Sequence, residues 1–328
     1  MVNFIKPLFL GTEKEFANLY ANPIKNGQHK DSGKTDIKIM KQRSFVLHKK
    51  LSKFVQRKEA ELLKTFLPQK FEYVLFIPMT EVQNNLYEHI LNAIKNRDEH
   101  YRGKGLITDY TCLRKIWTHP KVLEDAWKNA VSQRNKKEVV RQKQKDHNSD
   151  DDQPDDIYDS QTGQMSVTND WWRSLLTKTD LESIMPSNKL RTMFKILQMC
   201  EEKREKCLIF SAFVAVLNVV EYFFKKITEN DETVRKELNI TTPTQWHLGK
   251  DYYRLDGKTP KSIRHAMINE FNNQLNERAR VFLISAKAGG QGINLIGANR
   301  VIILDTSWNP SNDQQNIFRV FRLGQKRN

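Results

Sequence analysis

The chain has 328 residues, 38% of them hydrophobic, which is enough for about two domains with real cores. Its formal charge of +15 favours a polyanionic partner, although charge alone does not separate DNA from RNA or acidic protein. No apolar run is long enough to span a bilayer, and Met1 to Leu10 is too short for a signal peptide and has no cleavage site, so no membrane partner is expected. Three cysteines, Cys112, Cys200 and Cys207, are odd in number and unpatterned, which indicates neither a disulfide framework nor a zinc site; a reducing, intracellular compartment is expected.

Met1 to Lys70 is mostly helical in pattern, with basic clusters at Lys38–Arg43 and His48–Lys58 that suit a solvated surface and a polyanion alike. From about Val131 to Thr168 the composition changes. Lysine, arginine and glutamine give way to Asp150, Asp151, Asp152, Asp155 and Asp156 with few apolar residues, so this stretch is expected to be a disordered charged linker. An acidic contact with histones or with the basic part of the chain is the other reading of it. Order is expected to return at Trp171. A helix is expected to open at Ser187-Asn-Lys-Leu190 and run to Cys200. A buried strand over Cys207–Phe210 ends in Ser211, and an amphipathic helix covers Phe213–Lys225. Thr228 to Lys250 reads as a polar insertion without a motif, and Tyr252–Leu255 as another strand leading to Asp256-Gly257.

The richest stretch runs from Arg280 to Gln325. Val281–Ile284 and Val301–Leu304 are short apolar runs rich in β-branched residues, a pattern that suits strands buried on both faces of a parallel sheet covered by helices. Each run feeds a polar loop at its C-terminal end, where open α/β sheets place their ligands. The loop Ser285-Ala-Lys-Ala-Gly-Gly-Gln-Gly-Ile-Asn294 has three glycines in four positions, which lets the backbone approach a phosphate, and Lys287 adds charge. Asn309-Pro310 reads as an N-cap with proline at the first helical position. In the helix expected to follow, Gln315, Arg319 and Arg322 are spaced four and three apart and share one face, while Ile317, Phe318 and Phe321 turn away from it.

Three blocks in this stretch, SAKAGGQGINL, ANRVIILDTSWNP and DxQxxxRxxRLGQ, resemble the last motifs of the Swi/Snf-type family of DNA-dependent ATPases. Those motifs lie in the second of two RecA-like lobes. Upstream, FVQRKEAELLKTFLPQKFEYVLFIPMTEVQNNLYEHI resembles the family's segment that closes the first lobe, with Tyr73–Ile77 a strand and Thr80–Ala93 the helix after it. Leu113-Arg-Lys-Ile-Trp-Thr-His-Pro120 resembles its LRKxxxHP helix, and Ser187–Leu190 its SGKL, with Asn188 where glycine is usual. Asp256-Gly257, Arg264 and Phe271-Asn272 complete a DGxxxxxxR…FN pattern. With Asp170-Trp171-Trp172 after the linker, the wording is most like the ATRX branch of chromatin remodellers.

The resemblance implies an α/β fold: a RecA-like helicase C-terminal lobe over residues 171–328, preceded by the end of a first lobe over 1–130 and the linker over 131–170. It implies an ATP-driven translocase on double-stranded DNA that remodels chromatin in the nucleus, with nucleosomes or histones as further partners; it sets no oligomeric state. ATP and Mg2+ would sit between the lobes. Arg319 and Arg322 would act as arginine fingers, with Gln315 and Gly292 beside the nucleotide. Ser211, Gly257, Ser285 and Lys287 would touch DNA phosphates, and Trp308 would lie against the duplex groove. Ala286 stands where the family often has threonine, which removes one hydroxyl from that set.

An ATPase of this class also needs a phosphate loop, GxxxxGK[ST], and an acidic box that holds magnesium. Gly33-Lys34-Thr35 has Gln28 where the first glycine belongs; Asp256-Gly257-Lys258-Thr259 lacks an upstream glycine; Asp98-Glu99-His100 follows a polar helix, not a buried strand. None of the three fits. The chain is therefore expected to lack activity alone, with the magnesium ligands in a half that it does not include. A DNA- or chromatin-binding module without turnover is the second reading. An RNA helicase fragment is the third, against which the ATRX-like segments argue.

Overall fold

The computed structural model describes residues 2–56, 58, 60–63, 65–96, 106–143, 170–289, 292–307 and 309–327. The chain forms two compact units, Met1–Phe66 and Leu67–Asn328.

The first unit is helical. α1 spans Val2–Ile5 and α2 Glu13–Phe16, the latter opened by a capping box in which Thr12 and Glu15 satisfy each other's backbone N–H. α2 runs through a π turn, Ala17–Ala21, into α3, Asn22–Asn26, which leads to α4, Lys34–Leu51. The approach of α3 to α4 is close because Gly27 has no side chain: a Cβ there would lie 2.3 Å from Cβ of Met40 and 2.9 Å from the Asp36 carbonyl.

In the second unit α5, Glu81–Lys95, begins at the capping box of Thr80 and Gln83, and is followed by α6, Leu106–Ile116, and α7, Lys121–Lys143. Leu86, Ile90, Cys112, Ile116, Leu123 and Trp172 form one apolar cluster between these helices. After α8, Lys178–Glu182, Ser187 caps α9, Asn188–Glu202, and its hydroxyl donates to the carbonyl of Thr118.

The sheet follows. β1 is Cys207–Ser211, then α10, Val214–Thr228, and α11, Glu232–Glu237; β2 is Tyr252–Leu255, then α12, Lys261–Asn272. β3 is Val281–Ser285, followed by the single turn α13, Ala286–Gly289; β4 is Arg300–Ile303, followed by α14, Pro310–Ile317. All pairings are parallel in the order β2-β3-β1-β4, with Cys207 opposite both Val281 and Arg300. Side chains alternate between faces, as the strand period of two requires. Cys207 and Ile209 join the core under α9 and α10 with Phe194, Phe223 and Phe224. Leu208 and Phe210 join the opposite core with Phe271 and Phe282. Helix-covered parallel strands of this kind are the α/β fold that the sequence implies.

Several expectations change. β1 and β3 are buried throughout, but β4 is an edge strand and only half-buried. Tyr73–Ile77 is not a strand: Tyr73, Val74, Leu75 and Phe76 are exposed, and no described strand lies beside them to share a ladder. The expected disordered linker begins too early, because α7 continues to Lys143; its run of glutamine, arginine, lysine and glutamate is a good helix former by propensity. Residues 144–169 of that linker lie outside the described residues. Val122 on α7 belongs to the core of the sheet, and the compact unit that contains the sheet begins at Leu67. Thr228–Lys250 is more than a polar insertion, since it holds α11 and buries Val234, Leu238 and Trp246, the last stacked on Phe224 at 4.3 Å.

Candidate functional site

A cleft of about 340 Å³ opens at the C-terminal ends of β1, β3 and β4, and Ser211, Lys287, Asp305, Ser307, Asn312 and Gln315 are among its lining residues. That is where a parallel sheet releases its loops and exposes backbone N–H groups. Asp305, just past β4, organises the floor. Its carboxylate accepts from the Ser211 hydroxyl at 2.5 Å, from the backbone N–H of Ala212 at 2.7 Å and from Nη2 of Arg114 on α6 at 3.0 Å. It is 8% exposed, and burial pushes its carboxyl above the usual range while the Ser211 and Ala212 hydrogen bonds and the charges of Arg114 and Lys189 pull it down. Lys189 at the start of α9 is itself held below the ordinary lysine range, by burial first and by Arg114 second.

The site residues expected from the sequence divide into two groups. Ser211, Lys287 and Gln315 line the cleft. Lys287 is exposed. Ser211 is buried and its hydroxyl is engaged by Asp305, so the expected phosphate contact from that hydroxyl gives way to a role in shaping the loop. Ser285 is likewise buried; its Oγ accepts from the N–H of Ala288 at 3.3 Å and so caps α13 instead of facing solvent. Gly257 is exposed in the turn after β2, where Asp256 accepts from the N–H of Lys258 at 2.9 Å, and its backbone is open to a ligand. Trp308 lies outside the described residues.

The second group gathers at the end of the glycine loop. Gly292 has φ +71, the left-handed region that glycine enters without strain. Two residues on, the side-chain oxygen of Asn294 accepts from the guanidinium of Arg322, whose Nε also donates to the carbonyl of Phe318 at 2.5 Å. Asn294 is fixed in turn, its carbonyl accepting from Asn272 Nδ2 at 2.9 Å. Arg319 is 5% exposed and accepts at its own carbonyl from the N–H of Leu295 at 2.9 Å. Its Nε is buried with no hydrogen-bond partner, and burial, then the charge of Arg322, hold the guanidinium below its ordinary range. Among the described residues neither arginine meets a carboxylate. A buried, incompletely bonded guanidinium beside a second cation fits an anion with several acceptor oxygens.

The expected common helix face is corrected here. α14 starts as expected, with Asn309 accepting from the N–H of Ser311, but it ends at Ile317. Arg319 and Arg322 therefore sit in the turns that follow, and Gln315 points to the cleft, away from them. Phe318 is exposed and Phe321 half-buried, each beneath the ammonium of Lys70 at 5.6 and 5.4 Å, while Val320 supplies the buried contact. Asp305, Arg114 and Asn294 went unassigned in the sequence. An aspartate directly after a buried run, facing an arginine motif far upstream, is a signal that only the fold makes visible.

Gly33, with Lys34 after it, stands as the N-cap at the start of α4, and among the described residues no strand precedes it. Asp98-Glu99-His100 lies outside the described residues. Among the described residues no group of three His, Cys, Asp or Glu could hold a metal ion, and no helix is long and apolar enough to cross a membrane.

The fold is that of a helicase-type lobe. Residues 188–324 match the model of the helicase conserved C-terminal domain, and residues 1–122 match that of the SNF2-related domain. The chain belongs to the SNF2-related family of helicase-like proteins. It is 35% identical to a transcriptional regulator ATRX homolog of Drosophila melanogaster over 99% of its own length and 29% of that protein. It is 36% identical to transcriptional regulator ATRX of Mus musculus, over 99% of this chain and 16% of that one. It is 34% identical to protein CHROMATIN REMODELING 20 of Arabidopsis thaliana, over 100% of this chain and 22% of that one. The chain thus spans less than a third of the length of these relatives. Among solved structures, the C-terminal part of the Fun30 ATPase domain aligns with a TM-score of 0.47 and 24% identity, over 80% of this chain and 83% of that one.

Proposed function

We propose that this chain is the C-terminal half of an ATP-dependent translocase on double-stranded DNA that remodels chromatin. In this reading residues 1–130 close a first RecA-like lobe and 171–328 form the second. The observation that carries it is the pair Arg319 and Arg322, two guanidiniums that meet no carboxylate among the described residues, set beside the glycine loop in a lobe of the helicase C-terminal family. Such cations suit a triphosphate whose charge spreads in the transition state. Magnesium and the phosphate loop are assigned to a part of the relatives' length that this chain does not span.

On the other side, Lys287 and the open backbone at Gly257 are assigned to duplex phosphates, a sequence-independent contact. Ser211 and Ser285 act by shaping those loops. Gln315, on the cleft, belongs with the DNA-facing group in this geometry. A nuclear location, with nucleosomes or histones as partners, rests on relatives described as transcriptional regulators and chromatin remodellers.

The test is a fusion. Joined to the segment that precedes the matching region in the fly relative, the chain should hydrolyse ATP in a DNA-stimulated manner, whereas the 328 residues alone should bind duplex DNA without turnover. A folded fusion that binds ATP and DNA but shows no turnover would leave only a binding module. Stimulation by RNA over DNA would overturn the substrate assignment.

A further inference from the structure

α4 carries a feature that the helicase lobe does not use. Its 18 residues, KTDIKIMKQRSFVLHKKL, hold six lysines and arginines against one carboxylate, Asp36. Lys34, Lys38, Lys41, Phe45, His48 and Lys49 recur at three- and four-residue spacing, which puts them on one face of a helix. All six are exposed, Phe45 at 68%. Ile37, Met40, Leu47 and Leu51, spaced alike, form the half-buried face, and Asp36 lies on the Met40 side, away from the stripe. Among the described residues the four lysine ammoniums of the stripe make no ion pair or hydrogen bond.

A basic helix face is commonly just solvated. Two observations set this one apart. The helix is pinned from behind, because Gly27 admits the backbone of α3 to within contact of Met40 and Asp36, so the charges are held on a fixed rod. The stripe also has an uncovered aromatic ring at its centre and no carboxylate among its cations, an arrangement that invites an extended polyanion. The rod is about 27 Å long at 1.5 Å per residue. Duplex DNA presents about one negative charge per 1.7 Å of axis over its two strands, so a rod of that length lies against several phosphates where it crosses the backbone. One face of a single helix is convex and by itself offers no groove to a peptide helix or strand.

We propose that the Lys34–Lys49 face of α4 is a duplex-DNA docking surface, binding phosphates without reading sequence and separately from the cleft at Lys287. The surface lies within the first unit, and its charge does not depend on ATP chemistry in the lobe.

The test uses the 328-residue chain and a fluorescent duplex of arbitrary sequence, with affinity measured from about 50 to 200 mM salt. Each phosphate contact contributes about 0.9 to the slope of log affinity against log salt. The triple substitution Lys38→Ala, Lys41→Ala, Lys49→Ala should therefore lower the slope by nearly three and weaken binding at least tenfold at low salt. Arg43→Ala, off the stripe, should leave the slope unchanged. Circular dichroism and the urea midpoint should not move, since these lysines hold nothing in the fold. The proposal is overturned if the triple variant keeps its slope, or if Arg43→Ala costs as much per charge, which would mean net charge alone. Loss of polyglutamate binding with DNA binding intact would assign the face to acidic protein and overturn it as well. Lys287→Ala separates the two readings: if it lowers the slope while the triple variant does not, the α4 surface falls and the lobe assignment stands; the reverse result sinks the lobe assignment alone.

Discussion

Arg114 and Asp305, 191 residues apart in the chain, meet at 3.0 Å with side chains only 12% and 3% exposed. The contact ties α6 to the floor of the cleft. Because the same carboxylate holds the Ser211 hydroxyl and the Ala212 N–H, one ion pair fixes both the helix and the loop after β1.

Removing one partner of a buried pair leaves the other charge uncompensated, so Arg114→Ala should destabilise the second unit by about 3 kcal/mol. Replacing both, as Arg114→Leu with Asp305→Asn, should recover part of that loss. Urea unfolding of the three proteins checks this. A single-variant loss under about 0.5 kcal/mol would mean that the pair is solvated.

His119 gives stability a pH dependence. The ring is fully buried, its Nε2 3.0 Å from the Ser183 carbonyl and its Nδ1 accepting from the Lys121 N–H at 3.0 Å. Burial, the largest cause, pushes its pKa down to about 4 from 6.5. The unfolded chain therefore binds the proton first. The contribution of neutral His119 is fully present above pH 6.5 and is lost as the pH falls toward 4. At 1.36 kcal/mol per pKa unit it amounts to roughly 3 kcal/mol. The urea midpoint should fall from pH 7 to 4.5, and in His119→Gln this part of the decline should vanish. An equal slope in that variant would contradict the assignment.

Gly292 occupies φ +71 with open space where a Cβ would be. Gly292→Ala should therefore cost about 1–2 kcal/mol through backbone strain rather than through a clash. Differential thermal unfolding reads it, and an unchanged midpoint would show that the loop adjusts freely.

The centre of the sheet was legible in the sequence because β1 and β3 are continuous apolar runs, buried along their whole length. The cap Asn309 before Pro310 was legible for a local reason, whereas the capping box of Thr80 and Gln83 came from the structure. What escaped depends on distant partners. Tyr73–Ile77 has strand composition, but among the described residues no strand lies beside it to complete a ladder. β4 has buried-strand composition but stands at an edge. The spacing of Gln315, Arg319 and Arg322 suits one helix face, yet the chain leaves the helix at Phe318, where the cap N–H turns back to Gln314 and Asn316. Asp305 could not be assigned by spacing, because its partner Arg114 lies in another helix. The motif residues were placed by resemblance; their division between the cleft and the Asn294 side came from the fold.

In the proposed function Arg322 serves the nucleotide while Lys287 serves the DNA. The fusion carrying an upstream phosphate-loop lobe tests it with two substitutions and two readouts, the DNA-stimulated ATPase rate and duplex affinity against salt. Arg322→Ala should lower kcat by about 10³-fold or more, the range of arginine fingers, and leave the salt slope of DNA binding unchanged. Lys287→Ala should lower that slope by about one. If Arg322→Ala weakened DNA binding as much as Lys287→Ala and left kcat within about threefold once DNA was saturating, the arginine would face the duplex and the assignment of the two sides would be wrong.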